Sequence, residues 1–148
     1  MRILGVDYGD RRIGLAVSDS SGMLARPWKV LQHKGSIRIS AQLIASAADF
    51  LSKEEDGLGG IVIGLPVRLD GTPNEQTTRV RELSRCLSRL VNSPILFQDE
   101  RLTSREAESR LAVKERDWRR RKVKLDAAAA AVILQDYLDQ KAGMSRCH

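Results

Sequence analysis

The sequence predicts an α/β domain built on a mixed five-stranded sheet with helices on its faces. Three observations indicate this fold. The chain begins with apolar runs joined by a glycine-containing turn, and two later apolar runs each come after a segment with helical spacing. An alanine-rich segment comes last. Strands joined by a tight turn pair antiparallel, whereas strands connected through a helix pair parallel. We therefore expect a three-stranded antiparallel meander followed by two parallel strands.

The meander is predicted from three short apolar runs. Arg2–Val6 ends at Asp7, and Ile13–Val17 follows after a Gly/Asp/Arg turn, which is typical of a β-hairpin. Met23–Leu31 is predicted as the third strand. Pro27 lies within it and favours an edge position, because proline cannot donate a hydrogen bond to a neighbouring strand.

The middle of the chain alternates helices with strands. Ser36–Ser52 carries apolar residues at helical spacing, and Gly60–Leu65 is apolar throughout, as expected of a strand covered on both faces. The next helix is predicted to begin with a capping box in which Thr72 is the N-cap and Glu75 is at N3. Ile95–Phe97 is then predicted as a short buried strand.

The helix that follows Thr72 is predicted to be amphipathic. Its apolar residues, among them Leu83 and Leu87, share one face. Arg81, Arg85 and Arg89 recur at every fourth position and form a basic stripe.

The last third of the chain is predicted to contain two helices joined by a basic loop. A second capping box starts a helix at Thr103, the loop extends to Lys124, and alanine-rich Leu125–Gln140 forms the final helix. Residues 1–140 are therefore predicted to form a single domain, with residues 141–148 as a flexible tail.

The positive charge is concentrated in one segment. The 148 residues carry a formal net charge of +6, and residues 101–124 hold ten basic and four acidic side chains, so the remainder is neutral overall. Such a run attracts a polyanion by neutralising its phosphates, although charge runs are more commonly solvated loops. Nucleic acid is the favoured partner because the run lies between two of the carboxylates discussed below.

The composition predicts a soluble, cytoplasmic protein with no membrane partner. The longest stretch without a charged residue is Gly57–Val67, at 11 residues, whereas a spanning helix needs about 20 apolar residues. Asp7 interrupts the N-terminal apolar run too early for a signal peptide. Cys86 and Cys147 form no metal-ligand or disulfide pattern.

Three carboxylates lie at the ends of predicted elements: Asp7 after the first strand, Glu100 after the last strand and Asp126 in the first turn of the final helix. If the first, fourth and fifth strands are neighbours, these side chains can share one cleft. Grouped carboxylates repel one another unless a cation compensates, and Mg²⁺ or Mn²⁺ prefers oxygen ligands. Two such ions roughly 4 Å apart are the usual device for phosphodiester hydrolysis.

Each carboxylate also has a structural interpretation when it is taken alone. Asp7 fits a hairpin turn before Gly9, Glu100 can pair with a nearby arginine, and Asp126 suits the N-terminal end of a helix dipole. The three together, with the basic run between Glu100 and Asp126, favour the functional interpretation.

Four ordered motifs resemble one known family, the YqgF family of bacterial proteins associated with Holliday junction resolution and with maturation of precursor 16S ribosomal RNA. The resemblance spans Arg2 to about Leu138. It implies a ribonuclease-H-like fold, with Asp7, Glu100 and Asp126 as catalytic ligands of Mg²⁺ or Mn²⁺. The motifs are Asp7-Tyr8-Gly9 with Arg11-Arg12-Ile13-Gly14, Gly64-Leu65-Pro66 with Asp70-Gly71-Thr72, Asp99-Glu100-Arg101-Leu102-Thr103-Ser104, and Leu125-Asp126 with Ala129-Ala130.

Basic residues near the predicted site are candidates for holding a nucleic-acid backbone, although solvation is an equal alternative for the hairpin arginines. Trp118 can stack on an unpaired base or pack its loop onto the domain. The predicted nucleic-acid-binding residues are Arg11, Arg12, Arg101, Arg119, Arg120, Arg121 and Lys122.

The expected function is metal-dependent hydrolysis of structured nucleic acid, either 5′-end maturation of pre-16S rRNA in ribosome biogenesis or cleavage of branched DNA. The alternative is a non-catalytic RNA- or DNA-binding factor in ribosome maturation or transcription. A sugar-kinase-like or actin-like ATPase needs two related domains, which 148 residues cannot provide. A monomer or weak homodimer is expected, because the exposed faces of both long helices carry charges.

Overall fold

The computed structural model describes residues 1–66, 71–99 and 118–146, and in the last range it describes side chains for residues 126–143. Five strands and three helices lie within these ranges. In chain order they are β1 (Arg2–Tyr8), β2 (Arg12–Ser18), β3 (Ala25–Gln32), α1 (Ile37–Ser52), β4 (Leu58–Leu65), α2 (Glu75–Ser88), β5 (Ile95–Asp99) and α3 (Trp118–Arg146).

The strands form one mixed sheet in the order β3-β2-β1-β4-β5. β1 pairs antiparallel with β2, and β2 pairs antiparallel with β3. β4 lies parallel to both β1 and β5. This arrangement confirms the predicted meander with two parallel strands, and it makes the first, fourth and fifth strands neighbours. It also places β3 at an edge, as Pro27 indicates.

One face of the sheet packs against α1 and α2. Side chains alternate between the faces of a strand, so every second residue of β1, β2 and β4 enters this core. The largest members of the core are aliphatic, and they include Leu4, Val6, Ile13, Leu15, Ile44, Leu51, Ile61, Ile63, Leu83 and Leu87.

The opposite face is covered by α3, which lies unusually close to the strands. A Cβ at Gly5 would stand 2.8 Å from the Cβ of Leu134, and a Cβ at Gly14 would stand 2.0 Å from the carbonyl oxygen of Asp126. Both distances are too short for a side chain, so the two glycines allow the helix to rest on the backbone of β1 and β2. Ile133 and Leu134 complete this second core.

The start of α2 differs from the prediction. Asn74, and not Thr72, is the N-cap: its side chain accepts a hydrogen bond from the Thr77 amide at 2.9 Å, and the Thr77 hydroxyl accepts one from the Asn74 amide at 2.9 Å. Thr77 is buried and also hydrogen-bonds to the Pro66 carbonyl, whereas Thr72 and Glu75 are exposed. Tertiary contact at the end of β4 therefore selects the later capping box.

The prediction of a buried β5 is wrong. Leu96 is 40% exposed and Phe97 is 41% exposed, while Gln98 is buried. β5 has a single strand neighbour, β4, in the described part of the sheet, so its apolar side chains are only partly covered.

The prediction that the basic loop extends to Lys124 is also wrong, because α3 already begins at Trp118. Arginine and lysine have high helix propensities, so the basic residues extend the alanine-rich helix towards its N-terminus. The helix continues to Arg146 and overlaps the predicted tail. The helix predicted to begin at Thr103 lies outside the described residues. None of the helices in the described ranges has the length and hydropathy of a membrane span.

Candidate active site

Asp7 lies near the end of β1 on the face of the sheet that α3 covers. Its antiparallel partner is Gly14 of β2. Gly5 contacts α3 directly, and Asp7 is two residues further along the same strand, so both residues face the helix. The Asp7 side chain is half-buried. This placement directs the carboxylate away from the α1/α2 core.

Asp126 reaches the same place from α3, where it is the ninth residue and not, as predicted, part of the first turn. Its backbone carbonyl packs against Gly14. Gly14 therefore has Asp7 beside it in the sheet and Asp126 above it on the helix. The structure thus places two of the three predicted carboxylate residues, Asp7 and Asp126, beside the same glycine. Gly14 permits this close approach because it has no side chain.

Arg12 provides a positive charge beside Asp126. Its Nε atom is 2.9 Å from Oδ2 of Asp126, and both side chains are about one-quarter exposed, at 26% and 27%. Arg12 precedes Gly14 by two residues and shares its face of β2. Arg12 therefore lies within the site, in contact with a predicted metal ligand.

The turn between β1 and β2 forms the mouth of the site. Gly9, Asp10, Arg11, Arg12 and Asp126 line an open pocket of about 360 Å³. Arg11 is exposed, and its guanidinium pairs with none of the carboxylates that the structure describes. The pocket thus combines two carboxylates, Asp10 and Asp126, with the available cationic group of Arg11, which suits a phosphate that is bound next to a metal ion.

The hairpin turn is fixed by His33, to which the sequence assigned no role. The Nε2 atom of His33 donates to the Gly9 carbonyl at 2.8 Å, and its Nδ1 atom accepts from the Gly35 amide at 3.0 Å. The ring is buried and stacks on Tyr8, with centroids 5.1 Å apart. Its partners are backbone atoms and a ring brought together by the meander, so no local sequence pattern reveals them.

The first turns of α2 support the same hairpin. Gln76 Nε2 donates to the Tyr8 carbonyl at 2.7 Å. Arg79 pairs with Asp10 at 3.1 Å, and its guanidinium lies 5.8 Å from the Tyr8 ring centroid. The hairpin is therefore held between α2 and the loop after β3.

The donor set of the site fits a hard divalent cation. Asp7 and Asp126 are oxygen donors on one face, and Mg²⁺ and Mn²⁺ prefer such ligands. Within the described ranges, no group of three or more His, Cys, Asp or Glu side chains is placed to hold a metal. Glu100, the third predicted ligand, lies outside those ranges, as does Arg101.

The predicted basic residues from Arg119 to Lys122 lie on α3, the helix that carries Asp126. They precede Asp126 by four to seven residues, which corresponds to about 6–10 Å along a helix axis. The side chains of these four residues lie outside the described part of the chain. Their role in binding nucleic acid therefore stays a prediction.

Comparison with known proteins identifies the family. The sequence matches the family described as RuvX, Holliday junction resolvase, over residues 1–140. The chain belongs to the RuvX family. This membership confirms the resemblance to YqgF proteins.

Individual relatives of this RuvX-family chain cover nearly its full length. A protein of Anaeromyxobacter sp. (strain Fw109-5) is 40% identical over 139 residues, which cover 94% of this chain and 97% of the relative. A protein of Maridesulfovibrio salexigens is 38% identical over 138 residues, which cover 93% and 98%. Both relatives carry the name "Putative pre-16S rRNA nuclease".

The fold of this RuvX-family chain is similar to that of Thermus thermophilus RuvC, solved in complex with a Holliday junction substrate. The TM-score is 0.53, the identity is 15%, and the similarity covers 97% of this chain and 96% of RuvC. At this identity the likeness establishes the fold alone. The predicted ribonuclease-H-like architecture is confirmed.

Proposed function

We propose that this protein is a metal-dependent nuclease that hydrolyses phosphodiester bonds in structured nucleic acid. The observation that carries the proposal is the convergence of Asp7 and Asp126 on Gly14, beside a pocket lined by Arg11 and Arg12. Two carboxylates on one face recruit a cation, and the arginines recruit a phosphate.

The proposed substrate is the precursor of 16S rRNA, cleaved during maturation of its 5′ end. The names of the relatives at 38–40% identity support this choice. Branched DNA is the second candidate substrate, and the family description supports it. We propose a cytoplasmic location and a monomer or weak homodimer.

In the proposed mechanism Asp7, Asp126 and Glu100 would hold Mg²⁺ or Mn²⁺. The chemistry supplied by such ions, when bound there, would be activation of water and stabilisation of charge on the phosphate. Arg11 is available to contact a non-bridging phosphate oxygen at the mouth of the pocket. Arg12 orients the Asp126 carboxylate through their ion pair. His33 and Arg79 hold the hairpin turn in place, so that these groups are organised before substrate arrives.

The proposed substrate-binding surface extends from the hairpin along the N-terminal part of α3. The start of α3 at Trp118 supports this, because it joins the basic residues and Asp126 in one rigid element. The proposed backbone-binding residues are Arg11, Arg12, Arg101, Arg119, Arg120, Arg121 and Lys122.

A cleavage assay tests the activity. Asp7→Asn and Asp126→Asn remove negative charge from the metal site, so we expect each to lower cleavage by at least about 100-fold, the upper end of the effect of losing a supporting group at a metal site. Asp56→Asn, at an exposed carboxylate far along the sequence from both, is the matched control. Substrates are a precursor 16S rRNA fragment and a four-way DNA junction, with and without Mn²⁺. Wild-type cleavage rates in either site variant, with circular dichroism unchanged, contradict the assignment.

A non-catalytic nucleic-acid-binding factor is the second candidate. The ion pair between Arg12 and Asp126 favours it, since Arg12 supplies positive charge to this carboxylate without a metal. In that case the Asp7→Asn protein keeps wild-type RNA affinity, and it restores ribosome maturation in cells that lack the native protein.

A further inference from the structure

A row of three arginines, two on α2 and one at its C-cap, Arg89, has no part in the site described above. Arg81, Arg85 and Arg89 are all exposed, while Leu83 and Leu87 of the same helix are buried in the α1/α2 core. Spacing by four residues sets successive arginines about 6 Å apart along the axis, so the row is about 12 Å long.

These three guanidinium groups differ from several other cations of the described chain. Arg2 pairs with Glu54, and Arg12 pairs with Asp126. Among the residues that the structure describes, no carboxylate lies within ion-pair distance of Arg81, Arg85 or Arg89. Like charges four residues apart repel on a helix and weaken it. A polyanion lying along the row would relieve this repulsion.

The row begins close to the active-site hairpin. α2 contacts the hairpin through Gln76 and Arg79. Arg81 follows Arg79 by two residues, so it lies about 3 Å further along the helix axis and on the side of α2 that faces away from the hairpin. From there the row leads away from the hairpin along the face of the molecule opposite α3. Arg11, which is exposed on the same hairpin, lines the pocket.

We propose that the arginine row of α2 is a second phosphate-binding surface, which holds the sugar-phosphate backbone of the substrate at nucleotides beyond those in the pocket. The inference rests on the proposed function, because the occupant is the nuclease substrate. Its consequence is a length requirement: the row contributes affinity only to substrates long enough to leave the pocket and pass the hairpin.

Salt-dependent RNA binding tests the row. The row variant combines Arg81→Gln, Arg85→Gln and Arg89→Gln, and glutamine preserves helix propensity. Binding of a precursor 16S rRNA fragment is measured against KCl concentration, with divalent ions removed by EDTA so that cleavage does not interfere. Each lost phosphate contact lowers the slope of log K against log[salt] by about 0.7–0.9, so we expect a decrease of about 2 to 3.

The matched control variant carries Arg26→Gln, Arg38→Gln and Lys141→Gln. These side chains are also exposed, and the variant loses the same charge. Its slope is expected to stay within about one of the wild-type value. If the wild-type protein binds the RNA and the row and control variants show equal slopes, the proposed surface is overturned.

Cleavage separates this inference from the proposed function. The row variant is expected to cleave an oligonucleotide that fills only the pocket at the wild-type rate, and to show a raised KM for the long fragment. If the wild-type protein binds RNA through the row but never cleaves it, the nuclease function fails and the surface stands. If the wild-type protein binds neither the RNA fragment nor the four-way DNA junction at any salt concentration, both fail.

Discussion

At the scale of single residues, the site depends on groups that hold backbone in place. His33 bridges the Gly9 carbonyl and the Gly35 amide, and its ring stacks on Tyr8. Arg12 holds Asp126. These contacts join the hairpin to its neighbours, so we expect their loss to disturb the mouth of the pocket before the rest of the fold.

His33→Phe tests the bridge. The aromatic ring keeps the stacking on Tyr8, but the Gly9 carbonyl and Gly35 amide lose their partners. Gly9 is half-buried and Gly35 is exposed, so water can replace part of these contacts. A lost hydrogen bond costs about 0.5–1.5 kcal/mol net, so the free energy of unfolding should fall by about that amount in urea titrations. Gln32→Phe, at the exposed neighbouring position, is the control and should change it by less than about 0.5 kcal/mol. An unchanged stability in His33→Phe contradicts the bridging role.

Asp19 gives a pH-dependent prediction. Hydrogen bonds from the Ser21 hydroxyl and from the Leu24 and Met23 amides lower the pKa of Asp19 below its ordinary value. A lowered pKa stabilises the fold above the ordinary value, and this contribution is lost as the pH falls through the lower folded-state pKa.

The stability of Asp19→Asn should therefore approach that of the wild-type protein as the pH falls below about 4. The two proteins should differ most at neutral pH. Urea titrations across this range measure the difference, with Asp56→Asn as the control. A difference between wild type and Asp19→Asn that is constant with pH contradicts the prediction.

At the scale of elements, the packing of α3 decides whether a site exists. The helix rests on Gly5 and Gly14, and the Gln135 side chain fixes it against β3 by bonding the Ala25 amide and the Met23 carbonyl, both at 2.9 Å. Asp126 is presented to β1 only because the helix comes this close.

Gly14→Ala tests the close approach. The added methyl group would overlap the Asp126 carbonyl, so α3 must move away from the sheet. Overpacking of this kind costs about 1–3 kcal/mol of unfolding free energy. Gly143→Ala places a methyl group in open space on the same helix, where it should stabilise the protein by up to about 1 kcal/mol. Urea titrations give both values, and equal stabilities would contradict the packing argument.

At the scale of the whole molecule, the strand order brings distant parts of the sequence to one edge. β1 is central, with the hairpin on one side and the parallel strands on the other. The C-terminal end of β1 and the start of β2 therefore contact both α2 and α3. Residues 7, 12 and 126 become neighbours through this topology.

The sequence was sufficient for the topology, because apolar runs and connection types predict which strands are parallel. It also predicted that Asp7 and Asp126 share one region of the sheet, although α3 begins at Trp118 and Asp126 therefore lies more than two turns inside the helix. It was not sufficient where two local patterns compete. Both Thr72 and Asn74 can start α2, and only the burial of Thr77 near Pro66 decides between them. The role of His33 could not be predicted either, because its partners are brought together only by the tertiary structure.

Mn²⁺ binding tests the central claim, that Asp7 and Asp126 form one metal site. Isothermal titration calorimetry on the wild-type protein, Asp7→Asn, Asp126→Asn and the Asp56→Asn control measures the affinity without requiring substrate or turnover. We predict that each site variant binds Mn²⁺ at least about 10-fold more weakly than the wild-type protein, while the control binds as the wild type does. Equal Mn²⁺ affinities in all four proteins would contradict the account.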